Sequence, residues 1–216
     1  MAKVVLHGYF RSSTSFRARM ALNLKGVNYE QVTHHLRKGE HKGEDYLSLN
    51  PQGLVPSLVW SDGTVLTQSM AIMEFLDEII PEPPLLPRDP LGRARVRSIL
   101  QMICCDIHPV NNMRVLKALG SRFGADEEAV SNWFTHWVAE TFGPLEQMLA
   151  SSRETGRQVH GDQVTMADLG LVSQVFNNRR FGVSLDPYPT IEGIFERTVI
   201  LPEIERAIPA NQPDAE

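Results

Sequence analysis

The chain has 216 residues, 42% of them apolar, and a net charge of −5 with both signs mixed along its length. That length fits one large domain or two small ones. No basic run points to nucleic acid, no apolar stretch approaches the ~20 residues that span a bilayer, and Met1-Ala2-Lys3 running straight into a strand pattern lacks a signal-peptide layout.

In chain order, Val4 to Leu6 read as a buried strand. Phe16 to Lys25 read as a helix closed by Gly26. Between them lie four hydroxyl residues, Ser12-Ser13-Thr14-Ser15, with Arg11 before and Arg17 after. A hydroxyl run where a strand hands over to a helix offers free N–H groups and the positive helix end to an anion. Simple N-capping accounts for the same residues. Tyr29 to Thr33 completes a strand–helix–strand unit. Ser57 to Trp60 and Val65 to Thr67 flank Ser61-Asp62-Gly63-Thr64, and the Asp-Gly pair predicts an antiparallel hairpin. Ser69 to Ile80 carry Ile72, Met73, Leu76 and Ile79 at helical spacing, and Pro81 stops the helix.

Residues 81–90, PEPPLLPRDP, hold five prolines in ten positions and read as a linker. Asp89-Pro90 fits an N-cap followed by proline in a first helical turn. Only helices are predicted beyond it. One spans Leu91 to about Leu119 with a bend at Pro109. A second, capped by Asp126, reaches about Leu149. A third opens at the capping box Thr165-Met166-Ala167-Asp168 and ends near Asn178. A short one covers Ile191 to Thr198. Cys104 and Cys105 are adjacent, which suits neither a disulfide framework nor metal-ligand spacing. They read as small buried thiols on a helix, with no metal, in a cytoplasmic chain. The polar tail Asn211 to Glu216 is expected to be mobile. The division is therefore an α/β domain over 1–80, a linker over 81–90 and an all-α domain over 91–216.

Two further segments bear on function. Asn50-Pro51-Gln52-Gly53-Leu54-Val55-Pro56-Ser57 leads into a strand through Val55-Pro56; a cis bond there would expose the Val55 backbone to an extended ligand. Gln68-Ser69 lies where a strand ends and a helix begins, so capping and anion binding compete again. Two helix ends of this kind suit a ligand with two carboxylates, or with a carboxylate and a thiolate.

These residues resemble a family. FRSSTSFRARMALNLKG, NPQGLVPSL, LTQSMAIMEFLDE, DIHPVNNMRVLK, TMADLGLV, RRFGVSLDPYPTI and ANQPDA are together similar to the zeta class of glutathione transferases, and the resemblance covers nearly the whole chain. It implies an N-terminal thioredoxin-like domain, a C-terminal helical glutathione-transferase domain, glutathione as cofactor and a homodimer, with neither nucleic acid nor membrane as partner. It implies cis–trans isomerisation of maleylacetoacetate or maleylpyruvate, in aromatic-compound catabolism, by reversible thiolate addition. Ser12, Ser13, Thr14, Ser15, Phe16 and Arg17 would form the glutathione turn, with Ser12 nearest the sulfur and Ser12, Ser13 and Arg11 catalytic. Val55 and Pro56 would pair with the cysteinyl part, Gln68 and Ser69 with the γ-glutamyl carboxylate, and His41 with the glycyl end. His108, Asn112, Met113 and Arg114 would line the pocket, His108 and Asn112 sharing one helix face if the Pro109 bend is mild. Arg11, Arg114 and Arg180 would hold substrate carboxylates in bidentate forks, with Arg179 in place of Arg180 if the register shifts by one. Thr14 departs from the family, many members of which carry cysteine there. Conjugation of small electrophiles, or a non-enzymatic glutathione-binding module, would use the same fold.

Overall fold

The computed structural model describes residues 3–216, so the Met1-Ala2 start read above lies outside the described residues. The chain divides into two compact units, one running through Leu85 and taking in Ile200–Glu216, the other Leu86–Val199.

The first unit is built on a four-stranded sheet ordered β2-β1-β3-β4, where β1 is Val4–Gly8, β2 Tyr29–Thr33, β3 Ser57–Val59 and β4 Val65–Thr67. Alternation along β1 buries Val4 and Leu6 on one face, as a period of two requires. β1 runs parallel to β2 and antiparallel to β3, which pairs antiparallel with β4. The Asp-Gly hairpin forms as predicted: Asp62 Oδ1 accepts the Thr64 N–H at 2.8 Å, and Gly63 takes φ 89°. Helix α1 spans Ser13–Leu24, a short α2 covers Glu44–Leu49 and α3 spans Ser69–Ile79. α1 begins three residues earlier than predicted because Ser12 caps it, so Ser13, Thr14 and Ser15 form its first turn. Its far end is pinned by Lys25. The buried ammonium donates to Asp77 Oδ1 at 2.7 Å and to the Ile80 and Pro83 carbonyls at 2.6 Å each, satisfying all three of its donors.

The register places the site. Gly8 of β1 lies beside Thr33 of β2, His7 beside Ser57 of β3, and Ser57 beside Thr67 of β4. The exits of β1, β2 and β4 and the entry to β3 therefore share one end of the sheet. The Ser12 turn, the loop carrying His41, the Val55-Pro56 segment and Gln68-Ser69 all leave from that end.

The tail departs from expectation. Ile200–Glu216, read as the end of the helical domain and as mobile beyond residue 210, belongs to the first unit. Its short helix α9, Pro202–Glu205, packs on α1. The physical reason is hydrogen bonding. Asp214 accepts the Phe10 N–H at 3.0 Å and the Gln31 amide at 2.9 Å, Glu216 meets the His35 ring at 2.7 Å, and the Ala207 carbonyl accepts Arg19 Nε at 3.0 Å.

The second unit is helical: α4 Pro90–Gln101, α5 Met113–Phe123, α6 Glu127–Ser151, α7 Met166–Arg180 and α8 Pro189–Val199. Asp89 caps α4 through the Gly92 N–H at 2.7 Å, with Pro90 in the first turn. The single bent helix predicted over 91–119 is two helices. α4 passes into a π-helical turn, Met102–Ile107, and the chain turns at His108–Asn112 before Asn112 caps α5. Pro109 lacks the N–H that would continue the ladder. The cysteines sit on the π-helical turn, but Cys105 is exposed and Cys104 half-buried, so the buried-thiol reading is corrected. The predicted capping box forms at α7. No helix among the described residues is long and apolar enough to cross a membrane, and no cluster among them would hold a metal ion.

Candidate active site

Ser12 stands at the N-cap of α1, its Oγ accepting the Ser15 N–H at 3.2 Å. It also lies 2.7 Å from Thr14 Oγ1, and Thr14 donates to the Val55 carbonyl at 2.8 Å. Thr14 thus joins the hydroxyl turn directly to the Val55-Pro56 segment, whose peptide bond is cis. Ser12, Ser13 and Thr14 are partly open to solvent. Ser15, Phe16 and Arg17 are buried behind them. Arg11 is half-exposed, its guanidinium 5.0 Å from the centre of the Phe10 ring.

The Val55 segment is held by Tyr46, which the sequence does not mark, and by Asn50 of the same segment. The Leu54 carbonyl accepts the Tyr46 hydroxyl at 2.6 Å and the Asn50 amide at 2.8 Å. Tyr46 also meets Ser57 Oγ at 2.9 Å, and its ring lies tilted 4.2 Å from that of His34, whose Nε2 lies 2.9 Å from His7 Nδ1. Burial lowers both imidazoles from their ordinary 6.5 and raises the Tyr46 hydroxyl, so a neutral layer underlies the loop. Gly53 takes φ 57°, and a Cβ there would sit 2.7 Å from Lys42 Nζ and 2.9 Å from the His41 carbonyl. Only glycine fits so close an approach. His41 itself lies in a 3-10 turn, Glu40–Lys42, beside this bend. Asn50 and Gly53 are visible in the sequence as part of NPQG; Tyr46 is not, because the chain path alone brings it to the Leu54 carbonyl and Ser57 Oγ.

Arg19 is the other unpredicted support. It is fully buried and donates to the Ala207 and Phe10 carbonyls at 3.0 Å each and to Tyr9 at 3.5 Å. Burial pushes its guanidinium down to about 10, so it stays charged at neutral pH. Together with Asp214 on the Phe10 N–H, it fixes the two residues that lead into Arg11 and Ser12.

At the second helix end, Gln68 caps α3 with φ 67° and ψ 114°, the one non-glycine residue at positive φ among those described. Its amide donates to Gln52 Oε1 at 3.0 Å. Such a backbone costs of order 1–3 kcal/mol and is retained where the side chain is needed in that place. Replacing Gln68 by glycine should therefore stabilise the fold by up to about 1–2 kcal/mol in urea denaturation, after allowing for glycine's entropy. Loss of stability in that variant would show that the side chain, not the strain, dominates. Ser69 is buried, and among the described residues neither its hydroxyl nor the Val55 N–H has a partner within the chain.

The second unit carries the remaining candidates. Asn112 accepts the Arg114 N–H at 3.1 Å as cap of α5, and its amide lies 3.4 Å from His108 Nε2. The pair meets across a turn, so the shared helix face is corrected. Met113 opens α5 half-buried and Arg114 is exposed. Arg179 and Arg180 are told apart: Arg179 lies over Phe195 at 4.4 Å and 3.7 Å from Glu192, while Arg180 lies 5.0 Å over Phe181.

Comparison with known proteins matches this arrangement. The sequence model described as "Glutathione S-transferase, N-terminal domain" matches residues 11–79. A maleylpyruvate isomerase from Ralstonia is 47% identical over 97% of this chain and 99% of its own length. The holo structure of a maleylpyruvate isomerase, described as a bacterial zeta-class glutathione transferase, superposes with TM-score 0.96 at 46% identity, over 98% of this chain and all of that one. A maleylacetoacetate isomerase from Methylobacterium extorquens AM1, with malonate and glutathione bound, superposes with TM-score 0.95 at 40% identity, over 98% of this chain and 99% of that one. Full-length likeness at these identities settles the family: the chain belongs to the zeta-class glutathione transferases, among which stand the maleylacetoacetate and maleylpyruvate isomerases.

Proposed function

We propose that this protein is a glutathione-dependent isomerase that converts maleylacetoacetate or maleylpyruvate to the fumaryl form. The observation that carries the reading is the hydroxyl turn of α1, hydrogen-bonded through Thr14 to Val55 at the sheet end that also launches Gln68-Ser69. The residues fit glutathione. The unpartnered Val55 N–H and its carbonyl suit the cysteinyl peptide. The α3 N-terminus with Gln68 and Ser69 suits the γ-glutamyl carboxylate, and His41 stands by for the glycyl end. When bound, glutathione supplies a thiolate that adds reversibly beside the maleyl carbonyl and so lets the double bond rotate.

The chain's own residues make that chemistry accessible. A free thiol has a pKa of about 8.5; the α1 N-terminus and the Ser12 hydroxyl favour its charged form. Arg11, Arg114 and Arg180 would hold substrate carboxylates and offset charge that builds on the carbonyl. His108, Asn112 and Met113 would line the substrate side. The malonate bound with glutathione in the Methylobacterium relative supports a small dicarboxylate as substrate class. A homodimer in the cytoplasm is the proposed setting.

The test is a side-by-side assay on both maleyl substrates with and without glutathione. Conversion should require glutathione and leave its concentration unchanged. Thiol loss in step with product would favour conjugation of electrophiles, and retention on immobilised glutathione without turnover would favour a binding module.

A further inference from the structure

Ser12 and Thr14 share one hydrogen bond whose direction follows from its neighbours. The Val55 carbonyl can only accept, so the single hydroxyl hydrogen of Thr14 is committed to it at 2.8 Å. The 2.7 Å contact between the two hydroxyls then requires Ser12 to donate and Thr14 to accept. Ser12 Oγ also accepts the Ser15 N–H at 3.2 Å. A relay results: Ser15 N–H to Ser12, Ser12 to Thr14, Thr14 to the Val55 carbonyl. The Ser12 proton is directed along the chain and not toward the mouth of the helix end.

We infer that Thr14 is a positioning residue that holds the Ser12 hydroxyl proton until an anion at the α1 N-terminus takes it. The inference rests on the proposed glutathione site and adds to it a second acceptor for the Ser12 proton. A charged acceptor draws a hydroxyl more strongly than a neutral one, so an arriving thiolate wins, but against competition. Rotation about the Ser12 Cβ–Oγ bond is all the exchange requires; Thr14 keeps its own bond to Val55 throughout. A cysteine at this position would compete less, because sulfur is a weak acceptor. Threonine therefore makes the thiolate site more demanding while tying it to the peptide edge. Arg11 and Arg17, the charged neighbours on the same turn, are common to every variant below, so their influence cancels.

The experiment is the ionisation midpoint of glutathione bound to the full-length protein, read from thiolate ultraviolet absorbance against pH. Thr14→Val removes the competing acceptor at nearly constant volume. It should lower the midpoint by roughly half to one pH unit, the worth of one neutral hydrogen bond. Thr14→Ser keeps the relay and should keep the wild-type midpoint. Ser12→Ala should raise the midpoint, and adding Thr14→Val to Ser12→Ala should shift it no further, since Thr14 acts only through Ser12. A wild-type midpoint in Thr14→Val with glutathione bound, or an equal shift in the Ser12→Ala background, would overturn the relay alone. Absence of any thiolate signal in the saturated wild-type protein would remove the glutathione reading together with it.

Discussion

Ser12→Ala should lower turnover on the maleyl substrate about a hundredfold, the scale of losing one donor to a developing negative charge. Glutathione affinity should change much less, because Val55, Gln68 and Ser69, the other proposed contacts, sit on other elements of the first unit. The variant loses two things at once. It loses the donor proposed for the sulfur, and it loses the cap that accepts the Ser15 N–H. The cap is worth about 1 kcal/mol of stability. The two losses separate experimentally: urea denaturation reads the cap, and the ratio of kcat to the glutathione KM reads the donor. Ser12→Thr retains both functions and should retain most of the turnover. An unchanged kcat in Ser12→Ala would dismiss Ser12 from the thiolate role, whatever happens to stability.

Asp168→Ala should cost about 3–5 kcal/mol, a large share of a domain's usual stability of about 5–15 kcal/mol. The carboxylate is fully buried and accepts three hydrogen bonds at 2.7 Å, from the Val159 N–H, the Thr165 N–H and the Thr165 hydroxyl. Alanine leaves all three donors without an acceptor inside the second unit. Denaturant midpoint with an unchanged m-value is the measurement. Burial pushes the Asp168 carboxyl up to about 6, against the pull of those donors, from an ordinary 3.8. A carboxyl raised on folding binds its proton more tightly in the folded state. Its contribution to stability therefore declines as pH rises from about 4 to about 6 and is level above that. The gap between wild type and Asp168→Ala should narrow across that window. A gap independent of pH would mean that the carboxyl titrates alike in both states.

Much of this was legible in the chain before the structure. The alternation of Val4 and Leu6, the Asp-Gly hairpin and the Thr165–Asp168 capping box are local signals, each settled within a few residues. So is Ser12 as a cap. The start of α1 was misplaced because the hydroxyl run reads equally as a loop; only the cap geometry shows that Ser13 is already helical. The break between α4 and α5 was softened to a bend because Pro109 announces a fault but not its extent. The π-helical turn before it has no signature in residue type. Tyr46 and Arg19 escaped notice for a different reason. Both bind backbone carbonyls, so their partners are set by chain path and not by side-chain identity. The tail escaped because polar composition alone suggests solvent, whereas Asp214 and Glu216 find partners 204 and 181 residues away in sequence.

That last feature governs the order in which the molecule can be completed. During synthesis the strands, α1 and the hydroxyl turn leave the ribosome early. The groups that lock Tyr9 and Phe10 in place, the Ala207 carbonyl reached by Arg19 and the Asp214 carboxylate, emerge after the whole helical unit. A nascent chain can fold its sheet and still present a loosely held hydroxyl turn. The finished hydroxyl turn therefore waits on residues made after the helical unit, and a change at Asp214 reaches Phe10, two positions before Ser12, directly.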